Sequence, residues 1–320
     1  MSRAVSPPCA VGVLASRRTL PPPTALAKAA DRLRGYWEGL KPLPSGAADH
    51  DYANVFARSR IDLERLLPIP LSQAAIVVLG CGYRYPDVLL FSQCARSVVG
   101  LDVRPAFYRD GSLRLFGLRR QKKGILAAAY NTIAERRGLR RYYRRLSRCC
   151  GASLDHRQAT VLSFDGRRSS LPDESFDASI SNAVLQHVMD LESFFAEAAR
   201  LTKAGGVSYH VLHNYCSFSG SLRPEWFCRQ HPWGHLRGVY QTNPLHLNAV
   251  RIGPMCELFR RRFEIIDVIP LAKNHAQKGR DPDFEYEHPE LLTRELRQEL
   301  SAYPEEELLV RSFLLIGRKK

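Results

Sequence analysis

Six histidines stand between positions 187 and 246, at 187, 210, 213, 231, 235 and 246. Histidine is the side chain best suited to moving a proton near neutral pH. His213 is the candidate general base, because it ends an apolar run over 207–213 that reads as a strand. The carboxyl end of such a strand opens on the ligand crevice of an α/β sheet. None of these histidines makes a Cys or His pair with the spacing of a structural zinc site, so no metal is expected. A second group of chemical residues lies upstream, where five apolar residues over 75–79 run without a polar break into Gly80-Cys81-Gly82. Glycines at that point permit a tight turn and a close approach of ligand to backbone. A second apolar run, 97–101, ends in Asp102, about twenty residues after the turn, where a carboxylate can accept hydrogen bonds from both hydroxyls of a ribose. The third glycine of a dinucleotide-binding turn is missing, its place taken by Tyr85, which argues against a nicotinamide or flavin dinucleotide.

The elements that must position these groups follow an alternating pattern. The runs 75–79 and 97–101 suit strands of a parallel sheet buried on both faces, with 87–95 the helix between them. Further strands are expected at 159–164, 176–182, 207–213, 263–269 and 309–316. Asp190 is placed to cap a helix whose Leu191, Phe194, Phe195, Ala198 and Leu201 share one face, with Gly205-Gly206 ending it. Residues 254–262 and much of 281–307 also read as helical. The fold class expected is α/β: a doubly wound, mostly parallel seven-stranded sheet. It carries a basic helical insertion after strand two and an irregular insertion after strand five.

Residues 1–30, rich in proline and arginine, read as a disordered tail, and 31–320 as one domain that opens with a helical cover over 31–72. No stretch approaches a membrane-spanning helix or a secretory signal, so a cytoplasmic protein is expected. The eight cysteines form no Cys-x-x-Cys pair, which fits reduced thiols. The formal charge is +15. Much of it sits in the insertion over 104–157, where arginines alternate with Leu139, Tyr142, Tyr143 and Leu146. Amphipathic helices of that composition suit an anionic membrane surface through 112–148, which would make the protein peripheral to the membrane. Nucleic acid is the less favoured anionic partner. The insertion over 214–250 is polar and aromatic, and Trp233, His235 and Arg237 are expected to face the substrate together with His187. An arginine there suits a carboxylate or phosphate.

In order and spacing these motifs resemble those of the class I S-adenosylmethionine-dependent methyltransferases. Leu79-Gly80-Cys81-Gly82 is similar to the family's glycine-rich loop, Asp102 to its ribose acid and Asp165 to the acid beside the adenine amine. Leu171 to Asp177, Ser181 to His187 and Lys203-Ala204-Gly205-Gly206 are similar to its later motifs. The resemblance implies a Rossmann-like fold with the last strand antiparallel. It also implies S-adenosyl-L-methionine as cofactor, held by Gly80, Cys81, Gly82, Asp102, Val103, Phe164, Asp165, Asn182 and Ala183. Two positions depart from the family pattern: Val78 stands where an acid is frequent, and Arg84 where a third glycine is. A Trp-x-His-Leu-Arg segment like that of similar bacterial proteins implies a polar or anionic acceptor, a sugar or a lipid-linked glycan. An RNA or protein methyltransferase recruited by the basic insertion, and a cofactor-binding scaffold without turnover, are the alternatives.

Overall fold

The computed structural model describes residues 46–103, 116, 117, 120, 125–164, 166–240, 242 and 247–320. The expected tail over 1–30 and the first part of the cover lie outside them. Helix α1 (Ala47–His50), a π-helical turn (Asp51–Phe56) and α2 (Ala57–Leu66) run on from one another and lead to β1 (Ala75–Leu79). Then come α3 (Pro86–Phe91), β2 (Ser97–Asp102), α4 (Ile125–Cys150), β3 (Thr160–Ser163) and β4 (Phe176–Asn182). The second half holds α5 (Leu191–Leu201), β5 (Thr202–His213), α6 (Glu225–Gln230), α7 (Ile252–Arg260), β6 (Phe263–Leu271), α8 (Arg294–Glu299), α9 (Glu305–Leu309) and β7 (Ser312–Lys319).

Among the described residues the strands make one seven-stranded sheet in the order β3-β2-β1-β4-β5-β7-β6. Strands β1 to β5 are parallel, and β7 inserts antiparallel between β5 and β6. Every residue of β1 is buried. Alternation of side chains along it feeds two cores. Ile76 and Val78 join a cluster with Leu63 of α2, Val88, Leu90 and Phe91 of α3, and Leu139, Tyr142 and Leu146 of α4. Ala75, Val77 and Leu79 join the opposite one with Phe194, Phe195 and Leu201 of α5 and Met255 and Phe259 of α7. Helices therefore cover both faces, as a parallel sheet requires.

Three sequence expectations shift. Helix α5 begins as predicted, with the Asp190 carboxylate accepting from the Ser193 amide at 3.0 Å, but it ends at Leu201 and not at the glycines. Strand β5 starts at once and runs through Gly205-Gly206, because Thr202 already pairs with Phe176 of β4. A Cβ on Gly206 would stand 2.9 Å from the Asp177 carbonyl, so the pairing itself calls for glycine there. The charged stretch 281–307 holds only the short helices α8, α9 and a 3₁₀ turn. It packs Leu292, Leu300, Leu308 and Leu309 against Phe218, Cys228 and Trp233 in a third, separate core. Most of the described part of the basic insertion is the 26-residue helix α4.

Candidate active site

The strand ends and the glycine turn are stitched together by backbone bonds. The amides of Gly80 and Cys81 both donate to the Leu101 carbonyl, at 2.7 and 3.1 Å. The Gly82 amide donates to Asp102 Oδ2 at 2.8 Å, so the turn and the carboxylate hold one another. Gly80 and Gly82 have φ of 72° and 67°, a region closed to most side chains. A Cβ on Gly80 would also stand 2.5 Å from a methyl of Val184, whereas one on Gly82 would meet nothing within 4 Å. Gly82 lines a cavity of about 650 Å³, within the range of small-molecule sites.

The cavity opens where the carboxyl ends of β1, β2 and β4 meet. Gly80, Cys81 and Gly82 line it, with Asp102 and Val103 after β2 and Phe164 after β3. Asn182 and Ala183, at the end of β4, line it from the other side of β1. Ala183 has φ of 53°, a backbone conformation strained for a non-glycine residue and of a kind common in ligand sites. Asp165 lies outside the described residues; its neighbours Phe164 and Gly166 line the cavity. His187 lines it as well and is exposed. Its turn is held by Asn248, whose side-chain amide donates to the carbonyls of Leu185 and Val188 at 2.6 and 2.8 Å.

Four predicted residues are not brought to this cavity. His213 is buried, and its Nε2 donates to the Ser219 carbonyl at 3.0 Å because the chain after β5 turns back over it. Burial holds its pKa below the usual histidine value. Trp233 is fully buried in the third core, its Nε1 donating to the Leu308 carbonyl at 3.1 Å. His235 donates from Nε2 to the Tyr215 carbonyl at 2.8 Å, and burial pushes its pKa down to about 4. Arg237 pairs with Glu299 at 2.8 Å. Packing accounts for the three rings: aromatic and polar types that suit a substrate site equally suit a small core whose polar tips bond to backbone.

Among the lining residues that the sequence reading did not assign to the site are Asp51, Arg84 and Asp87. Asp51 comes from the π-helical turn, a feature that recurs at functional sites. It accepts from the Tyr142 hydroxyl at 2.5 Å and lies 3.7 Å from Arg84 Nη1. The Arg84 guanidinium stands 5.0 Å from the centre of the Tyr142 ring. Asp87 is buried, and its Oδ1 has no hydrogen-bond partner. Burial first, and the charge of Asp51 second, push its pKa up to about 7. Only the Pro-Asp start of α3 marked Asp87 in the sequence, and that reads as an ordinary first-turn acid.

Residues 142–210 match the family model for a methyltransferase domain. That stretch runs from within α4 to β5 and includes the end of β4 that borders the cavity. The seven-stranded order with an antiparallel β7 is the sheet the sequence resemblance implied. Over 142–210 the chain is therefore similar to a methyltransferase domain. The methyltransferase domain implies S-adenosyl-L-methionine as its cofactor. The residues present fit that molecule: a carboxylate fixed at the end of β2, an open glycine turn beside it, and a buried carboxylate with one unpartnered oxygen in the same cavity. Among solved structures, this chain is similar to a chain of the Haloferax volcanii complex that contains the Trm112 methyltransferase activator. The identity is 15%, over 86% of this chain and 93% of that one, with a TM-score of 0.45. It is also similar to an S-adenosylmethionine-dependent methyltransferase from Mesorhizobium loti (17% identity, 81% and 96% coverage, TM-score 0.41). A third is geranyl diphosphate C-methyltransferase from Streptomyces coelicolor (14% identity, 82% and 79% coverage, TM-score 0.43). No curated protein matches the sequence.

Proposed function

We propose that this protein transfers a methyl group from S-adenosyl-L-methionine to a small polar or anionic acceptor, with a sugar or lipid-linked glycan as the class to test first. The observation that carries the reading is the single cavity shared by the glycine turn, Asp102, Phe164, Asn182, Ala183 and His187. When bound, the cofactor supplies an electrophilic methyl group on a sulfonium sulfur. The protein's own work is then alignment and exclusion of water. Asp102, kept in place by the Gly82 amide, accepts from the ribose hydroxyls. Val103 and Phe164 offer apolar surface to the adenine. His187, exposed on the cavity and steadied through Asn248, takes the proton from an acceptor hydroxyl or amine. Arg167, an exposed lining residue, suits an anionic group on the acceptor.

The test is transfer of labelled methyl from S-adenosylmethionine to a panel of envelope sugars and glycolipids, run beside RNA and protein acceptors. His187→Ala is expected to lower kcat by roughly 10²–10⁴-fold while S-adenosylhomocysteine affinity holds. Transfer only to RNA or protein would replace the acceptor assignment. Tight binding of S-adenosylhomocysteine with no transfer to any acceptor would favour a scaffold.

A second reading concerns location, and helix α4 carries it. Leu126, Tyr130 and Ile133 are exposed at four- and three-residue spacing along one face. Exposed Arg137, Arg140, Arg141, Arg144 and Arg148 continue along the same helix. We infer that this face rests on an anionic bilayer, apolar residues among the acyl boundary and arginines among headgroups. Among the described residues no helix is long and apolar enough to cross a membrane. Sedimentation with phosphatidylglycerol vesicles, lost in the Arg140→Glu/Arg141→Glu/Arg144→Glu variant, is the expected result. Equal sedimentation with neutral vesicles would sink it.

A further inference from the structure

Val78 is 1% exposed and packed in the first core, so the place of the family's frequent acid holds no polar group. The cavity nevertheless has carboxylates that the family pattern did not supply, Asp87 and Asp51. Asp87 is 7% exposed, lines the cavity and leaves Oδ1 unbonded. A buried polar atom without a partner is costly and is retained where a ligand completes it. Asp51 lines the cavity too, its side chain 13% exposed. The Cys81 thiol, raised by burial first, is raised further by the charges of Asp102 and Asp87, and all three line the cavity with Asp51. Beside them is Arg84, the other departure from the family pattern. Its guanidinium lies within 5.8 Å of the Tyr83 ring centre and 5.0 Å of that of Tyr142, and it lines the cavity.

One guanidinium and two carboxylates lining one cavity are complementary to a zwitterionic α-amino acid. We propose that Asp87 and Asp51 hold the α-ammonium of the cofactor's methionine moiety and Arg84 its carboxylate, in place of the acid that position 78 lacks. The inference rests on the methyltransferase reading. It accounts for both departures together. It also explains why a helix before the first strand supplies a cavity wall.

The charge balance gives a signature apart from activity. The groups facing Asp87 and Asp51 include Arg84, Cys81, Tyr142, His50 and, behind His50, His275. Against burial, Asp51 is held ionised by His50, Tyr142 and Arg84, while burial and the charge of Asp51 leave Asp87 the group that keeps a proton. An arriving ammonium displaces that proton. Binding near pH 7 therefore releases a fraction of a proton per site, and less as pH rises.

The experiment is calorimetry of the full chain with S-adenosylhomocysteine and with 5′-methylthioadenosine, which has the same nucleoside and no amino acid. Asp87→Asn and Arg84→Gln are expected to weaken S-adenosylhomocysteine roughly tenfold or more and methylthioadenosine less than about twofold. Buffers of different ionisation enthalpy should report the released proton for S-adenosylhomocysteine in the wild type and none in Asp87→Asn. The ligand-free Asp87→Asn protein should melt higher than wild type at pH 8, since it no longer buries a lone charge; a merely structural Asp87 would make it melt lower. Equal losses for the two ligands, or none, would overturn the clamp and leave the cofactor site standing. Failure of the wild type to bind either ligand would remove the methyltransferase reading and the clamp with it.

Discussion

Replacing Asp102 by Asn is the sharpest test of the site, because it changes charge while keeping shape. Asp102 Oδ2 accepts from the Gly82 amide at 2.8 Å. An Asn carbonyl can still take that bond, so the turn is expected to persist and the ligand-free melting temperature to stay near that of wild type. What is lost is one charged acceptor for the ribose, where a carboxamide NH₂ now faces a hydroxyl. A hydrogen bond to a charged group contributes about 1.5–3 kcal/mol. That converts to roughly a ten- to hundredfold weaker Kd for S-adenosylhomocysteine by calorimetry. Asp102→Ala should lose more, since it also strips the Gly82 amide of its acceptor, at a further cost of about 1–3 kcal/mol. An Asp102→Asn protein that folds normally and binds within about twofold of wild type would refute the assignment of the cavity.

Gly80→Ala forces a Cβ to 2.5 Å from Val184 and a non-glycine residue to φ of 72°. The conformational part alone costs about 1–2 kcal/mol. Val184→Ala in the same chain should restore the steric part and leave that remainder, as read from denaturant midpoints. Trp233→Ala is expected to cost about 3–5 kcal/mol of stability. Its S-adenosylhomocysteine Kd should not change; a changed Kd in folded protein would return position 233 to the site. Acid stability follows from the buried histidines. His210, bonded at 2.7 Å to both Ser181 and Ser208, is held near pKa 3 by burial, and His235 near 4. The unfolded chain takes up their protons below about pH 6.5 and the folded one does not, so their stabilisation is complete above that pH and is lost as pH falls toward 3–4. Each contributes a slope of about 1 kcal/mol per pH unit in that window. Asp87 works in the opposite sense between its ordinary value and about 7. Urea midpoints between pH 7.5 and 5 should fall on acidification, and less steeply in His210→Gln; a flat wild-type profile would contradict the burial of these rings.

Much of the scaffold was legible because it depends on neighbours in the chain. The unbroken apolar run of β1, the Gly-Cys-Gly turn, Asp102 at the end of β2 and the Asp190 cap are local signals, and each stands where its pattern put it. The eight described residues expected around the cofactor all line one cavity, since a parallel sheet brings successive strand ends to the same edge. Strand β5 was less legible: Gly205-Gly206 reads as a helix end, and only the pairing of Thr202 with β4 shows that the strand begins earlier.

The sequence by itself determined the α/β order, the glycine turn and the carboxylate that ends β2, since periodicity and turn chemistry act over a few residues. Tertiary structure alone decided the fate of the polar side chains. Burial took His213, Trp233 and His235 out of the candidate site and tied them to backbone carbonyls. Packing of α4 against the first helices brought Tyr142 to Asp51, 91 positions away, and set both beside Arg84. Whether a polar residue is a ligand contact or a satisfied core group depends on what surrounds it, and those surroundings come from segments far apart in the chain.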